Sequence, residues 1–350
     1  MKSFSNKKLN NINVPMRVVR LIGTINEYKG KQDLYSQQSP QILEGLKKVA
    51  IIESTKASNE IEGIKIQHKR LEDIINNGKP INQEDRSEGE IMGYKEVLEL
   101  VHTSAEYIPI KPSHILQLHR DLYKFVASEG GRWKNADNVI QETLPDGTKN
   151  IRFEPTSAFA TPAAMEELCN VINESIKAND IDPLILTSAF ILDFLCIHPF
   201  NDGNGRLARI LTLLLLYKFG YEVGRFISLE KIIEQTKEEY YNTLYQSSQN
   251  WHEAKHDLLP WTEYFLGVVL AAYREFEKRV GSVKDSRGRK SERIENAINY
   301  IIGEFNKEDI RKLCPDVGES TINRVLAKLK EEGKIDVTTK GRNASWVRIE

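Results

Sequence analysis

The stretch HPFNDGNGRLAR, residues 198–209, decides how the chain folds. It crowds a histidine, an acid, three small turn-formers and two arginines between segments 183–197 and 205–219, each apolar on nearly every side. Helices apolar all round belong at the centre of a bundle. Pro199 disfavours helical geometry at His198, so the first helix must end there. Asp202-Gly203-Asn204-Gly205 then reads as a turn whose glycines permit positive φ and close approach of a ligand. The second helix starts at once, and its first turn offers unpaired N–H groups and the positive end of the helix dipole, a ready anion site.

Arg206 and Arg209 are three apart, share one face and lean toward that same end. Two cations there oppose the dipole, which an anion of several charges would resolve. Asp202 would repel such an anion unless a cation intervened, and Mg2+ held by one carboxylate and phosphate oxygens suits that place. These features favour a nucleotide polyphosphate. His198, with an unperturbed pKa of about 6.5, suits a general base. Phe200 is expected to anchor the loop in the core. The plainer alternative is a capped interhelical turn whose arginines pair with acids elsewhere.

The stretch resembles the Fic family pattern, H-P-F-x-D-G-N-G-R-x-x-R, at every specified position. The resemblance implies a mainly α, Fic-type helical bundle with a small β-hairpin flap. It implies an enzyme that moves AMP from ATP, with Mg2+, to a Ser, Thr or Tyr hydroxyl of a protein, itself included. By that resemblance His198 deprotonates the hydroxyl and Asp202 holds the metal. Gly203, Asn204 and Gly205 cradle the phosphates, with Arg206 at the β- and Arg209 at the γ-phosphate. SNEIEG, residues 58–63, is similar to the family's inhibitory motif [S/T]-x-x-x-E-[G/N]. Ser58 and Glu62, four apart, share a helix face, Ile61 points into the core, and Gly63 closes the helix. Similarity implies that Glu62 pairs with Arg209 in the γ-phosphate's place; some members use this glutamate to remove AMP instead. Gly131-Arg132-Trp133 leading into Asn138, Val139, Ile140 and Gln141 is similar to the family's flap, which aligns a target by strand addition. Tyr240 and Tyr241 fall where the family often places an adenine-contacting tyrosine, and core aromatics are the other reading. Dimers are common among such proteins, but no interface is legible in the sequence.

Elsewhere, 350 residues at 40% hydrophobic can bury a sizeable core in two or three domains. A net charge of -1 commits the whole to neither nucleic acid nor membrane, and the longest apolar run, 210–217, is too short to span a bilayer. Cys169, Cys196 and Cys314 are few and scattered, which fits a reducing, cytoplasmic compartment. Helical periodicity marks 40–62, 85–103, 112–126 and 162–178, and 138–155 alternates around Pro145-Asp146-Gly147 as a hairpin. Domains are therefore expected at 1–110, a helical region carrying the inhibitory helix, and at 111–280, the catalytic core. A linker at 281–291 then leads to a winged helix-turn-helix at 292–350, with helices near 292–303, 307–314 and 319–332 and a two-stranded hairpin. From 281 to 350 there are 15 Lys plus Arg against 12 Asp plus Glu, a mild footprint for DNA. A DNA-binding regulator with a nucleotide-sensing core is thus a second reading of the chain, and protein contact a second use of the module. His252 to His256, HEAKH, also reads as the zincin pattern H-E-x-x-H. Charged Lys255 and Asp257, Pro260 and the want of a downstream third ligand argue against zinc proteolysis. His114 and His119, five apart and off one face, read as structural.

Overall fold

The computed structural model describes the whole chain except residues 6–7, 39, 65, 67–69, 72, 75–84, 128–129, 144–147, 285–289, 301–303, 315–316, 340, 342–343 and 350. Two helices form its centre, α6 (Pro183–Ile197) and α7 (Asn204–Lys218), packed against each other. Asp182 caps α6 by accepting the N–H groups of Leu184 and Ile185, and Pro183 fills the first helical position, where no N–H is needed. The helix stops at His198, left-handed at φ 50° and ψ 61° before Pro199.

Around this pair stand α1 (Met16–Gln38), α2 (Pro40–Ile61), α3 (Arg86–Ser104), α4 (Pro112–Leu122) and α5 (Thr161–Ala178). They are joined by α8 (Leu229–Gln235), α9 (Lys237–Ser248) and α10 (Leu259–Lys284). α5 and α10 pack on α6, α3 on α7, and α2 lies between α3 and α8. One apolar core joins them, with Phe190, Phe194, Phe200 and Leu214 almost wholly buried. Helix α4 ends at Leu122, short of the expected 126, because Tyr123 leaves helical geometry at φ -106° and ψ 10°. Among the described residues, no helix is long and apolar enough to cross a membrane.

The flap is the antiparallel pair β1 (Ile140–Thr143) and β2 (Lys149–Phe153), with Ile140 opposite Phe153 and a register shift after Ile140. The expected turn at Pro145-Asp146-Gly147 lies outside the described residues. Asn138 and Val139 precede the strand rather than forming it.

The expected linker starts too early, since α10 runs to Lys284 and α11 (Lys290–Tyr300) begins one residue before Ser291. Beyond it come β3 (Phe305–Asn306), α12 (Lys307–Leu313), α13 (Glu319–Glu331), β4 (Ile335–Thr339) and β5 (Ser345–Arg348). The sheet has three strands in the order β3-β5-β4, one more than the hairpin expected, because Phe305 pairs with Trp346. Ile294, Ile310, Ile322 and Leu326 give this module its own core.

Four histidines with depressed pKa values make the stability of the chain pH-dependent. Burial pushes the pKa of His102 down to about 3 and those of His119, His198 and His256 to about 4. In the unfolded chain each binds its proton near pH 6.5. Stability is therefore full above that value and falls as pH drops toward 4, by up to about 5 kcal/mol per pH unit while all four differ. Urea midpoints at pH 7.5, 6.5, 5.5 and 4.5 are expected to decline from the second point on; an unchanged midpoint down to pH 4.5 would contradict the assignment.

Candidate active site

The loop from His198 to Gly203 is held from several sides. Phe200 is fully buried and stacks on His119 at 3.7 Å between ring centroids, with Trp133 at 5.1 Å. Asn204 locks the turn, accepting the Phe200 N–H at 2.9 Å and donating to the Phe200 carbonyl at 2.8 Å. Its buried side chain is thus turned to the loop's own backbone. Gly203, at φ +80°, is the N-cap of α7, and no side chain caps that end, so the first amides stay open. His119 ties two segments together. Its Nδ1 accepts the Gly131 N–H at 2.9 Å, which leaves Nε2–H to donate to the Asp202 carbonyl at 3.0 Å.

His198 faces the same mouth. Its Nδ1 lies 3.4 Å from the Leu195 carbonyl, so that nitrogen carries the proton and Nε2 keeps its lone pair. Burial pushes its pKa down to about 4, well below the free imidazole value expected from the sequence, and Lys134 adds to the effect. The ring is therefore neutral at pH 7. Lys134 was not legible in the sequence as a site residue. Its buried ammonium donates to the Ile197 carbonyl and to Asn138, whose amide in turn reaches the Phe200 carbonyl.

Both arginines of the motif are deeply buried and both are paired. Arg209 donates through Nε to the Ser58 hydroxyl and through Nη2 to the Ser58 carbonyl and the Glu62 carboxylate, all at 2.8 Å. Burial opposes the charge on Arg209, yet Glu62 and its other neighbours raise its pKa overall. The Glu62 carboxylate rests against Gly205, where any side chain would collide with it. Arg206 donates to Glu90 at 2.8 Å and to the Tyr123 hydroxyl at 2.9 Å. Among the described residues, Nε of Arg206 and Nη1 of Arg209 are buried donors without a hydrogen-bond partner. A buried donor left unmade costs about 1–3 kcal/mol, so the pair is incomplete as it stands.

Helix α2 presents Ser58 and Glu62 because its outer face is clasped. Ser54 donates to Glu230, Lys231 pairs with Glu53, and Lys237 donates to the Ile61 carbonyl at the helix end. Ile61 is buried in the core and Gly63 reverses the chain at φ +87°.

Asp202 is half exposed. Burial opposes its charge, but Arg206, the Gly203 N–H and Arg86 outweigh that and hold the carboxyl below its usual range. Among the described residues no cluster of three or more His, Cys, Asp or Glu could hold a metal by itself. One half-exposed carboxylate fits Mg2+, which keeps waters and phosphate oxygens as its other ligands.

The Fic/DOC family model matches residues 109–216, which carry this loop, α6 and most of α7. Residues 109–216 are thus similar to the Fic/DOC family. The chain is similar to the protein adenylyltransferase fic-1 of Caenorhabditis elegans, 24% identical over 65% of this chain and 40% of that protein. The chain thus spans less than half the length of this curated relative. A Fic family protein from Desulfovibrio desulfuricans G20 has a similar fold, at a TM-score of 0.63 and 20% identity, over 97% of both chains. A Fic domain containing signaling protein from Bacteroides thetaiotaomicron VPI-5482 matches with a TM-score of 0.62 and 22% identity, over 74% of this chain and 97% of that one.

A cavity of about 150 Å³ lies beside the loop, lined by Glu62, His198, Arg209, Tyr240 and Tyr241 and roofed by Ile140 of the flap. Tyr240 and Tyr241 line this cavity, and Tyr240 also packs edge-on against Trp261 and Tyr264. Gln141 is exposed on the flap and Val139 is 47% exposed at its foot.

The zincin pattern dissolves in the fold. Ala254, at φ +57°, breaks the helix that the motif requires. His252 instead bonds the Glu154 carbonyl at 2.7 Å and stacks on Phe153, bracing the flap. His256 turns inward to the Ser3 hydroxyl and Lys8.

Proposed function

We propose that this chain is a protein adenylyltransferase that moves AMP from ATP to a Ser, Thr or Tyr hydroxyl of a protein, itself included. The observation that carries the reading is one juxtaposition. A neutral imidazole with Nε2 free stands beside a helix N-terminus with open amides, and two buried arginines there keep donors unmade. Names of relatives such as fic-1 point the same way.

In this reading the β- and γ-phosphates lie on the first amides of α7, with Arg206 and Arg209 completing their partners. The target hydroxyl attacks the α-phosphorus in line. Its proton passes to His198 Nε2, the bond to the β-phosphate oxygen breaks, and pyrophosphate leaves. Mg2+, when bound, would sit on Asp202 and the phosphate oxygens and neutralise developing charge. Glu62 holds Arg209 back until the γ-phosphate replaces it. The cavity under the flap would take the adenine against Tyr240 and Tyr241, while the flap's backbone aligns the target.

Residues 1–110 would then be the regulatory helical region, 111–280 the catalytic core and 292–350 a winged helix. On α13, Arg324 and Lys328 already contact Ser291 and Glu295 of α11, which favours a structural or protein-binding use of that module over DNA.

Parallel incubations with ATP labelled at the α- or the γ-phosphate test the chemistry. Protein-bound label is expected from α-labelled ATP alone, and label from the γ position instead would identify a phosphotransferase and overturn the reading.

A further inference from the structure

Helix α3 starts against the loop, capped by Asp85, and Arg86 is its first residue. Arg86 donates through Nη2 to Asp202 Oδ2 at 2.8 Å and through Nε to Glu90 Oε1 at 2.6 Å. The other oxygen of Glu90 accepts from Arg206 at 2.8 Å, and Arg206 Nη2 lies 3.8 Å from Asp202 Oδ1. Four charges of alternating sign thus close a ring with no net charge. Both oxygens of Asp202 are engaged, since Oδ1 also accepts the Gly203 N–H at 2.7 Å.

The ring has unequal halves. The side chains of Arg206 and Glu90 are 2% and 4% exposed, whereas those of Arg86 and Asp202 are 61% and 58% exposed. A buried charge pair is hard to separate, because each partner left alone lacks water to solvate it. An exposed pair is weak and opens easily. The joint built to open is therefore the one between Arg86 and Asp202.

We propose that Arg86 is a second brake on this site, occupying Asp202 much as Glu62 occupies Arg209. The proposal rests on the reading of Asp202 as the carboxylate that receives a divalent cation. A guanidinium and a divalent cation repel each other on one carboxylate, so Arg86 must leave before the cation is admitted. Glu90 keeps the displaced arginine tethered through Nε, and it returns when the cation departs. Nothing in the sequence marks this device, because Arg86 and Asp202 are 116 residues apart.

Titration of the full chain with Mn2+ at saturating ADP, with free Mn2+ read by electron paramagnetic resonance, tests this without turnover. Arg86→Gln is expected to tighten Mn2+ binding about three- to fivefold, the range an exposed ion pair permits. Arg86→Lys, which keeps the charge, should stay near the unmodified chain, and thermal midpoints of both report folding. In Asp202→Asn the effect of Arg86→Gln should vanish. Unchanged or weaker Mn2+ binding in a folded Arg86→Gln protein overturns the second brake while leaving Asp202 its role. If Asp202→Asn itself leaves Mn2+ binding untouched, the underlying reading of Asp202 fails, and the brake with it.

Discussion

Replacing His198 by alanine is expected to lower AMP incorporation by about 10²–10⁴-fold, the range for losing a positioned general base. The expectation follows from how the ring is held. Its Nδ1 is committed to the Leu195 carbonyl, so only Nε2 can take a proton. The left-handed backbone before Pro199 fixes where that nitrogen points. Burial keeps the ring neutral, with a pKa of about 4, so it is ready to accept at neutral pH without first losing a proton. Two measurements separate this from a packing defect. ADP affinity of the alanine protein should stay within a few fold of the unmodified chain, since the phosphate groups are proposed to lie on α7. In the unmodified chain, kcat/KM should be flat between pH 7.5 and 6, where an unperturbed imidazole would lose about three quarters of its basic form. Incorporation above a tenth of the original rate would place the base elsewhere.

Much of this site was legible before the fold was known, and the limit was the reach of local rules. Pro199, Gly203 and the two apolar segments specify a helix, a turn and a helix by backbone sterics alone, and the structure has them within a residue of expectation. Ser58 and Glu62 share a face by helical period, and both meet Arg209. What the sequence could not tell was which distant side chain completes each charge. Glu90 reaches Arg206 from 116 residues away and Lys134 reaches Ile197 from 63. Neither position differs locally from an ordinary helix or loop residue. His119 looked structural, and what it holds is the loop from His198 to Gly203. The histidines of HEAKH sit at helical spacing in a segment that is not helical, because a left-handed residue between them separates their directions.

Glu62→Gly is expected to raise the initial rate of AMP transfer by about 10- to 150-fold, the value of one charge-assisted hydrogen bond of about 1.5–3 kcal/mol. Two effects act together. The carboxylate takes a donor of Arg209 that the third phosphate would use. It also lies against Gly205, over the first turn of α7, and so stands in the path of that phosphate. A diphosphate would not extend that far, so ADP affinity should change little while ATP turnover rises. Glu62→Gln keeps the shape and loses the charge, and its rate should fall between the two. The Ser58 contacts to Arg209 survive all these changes, so the guanidinium stays in place for the nucleotide. Adding Arg209→Ala should return the glycine variant to a low rate, because the gain depends on the arginine that was released. Initial rates matter here. If Glu62 instead serves to remove AMP, modified protein would accumulate in Glu62→Gly without any rise in the forward rate. Forward rates within twofold of the unmodified chain would show that Glu62 is no brake.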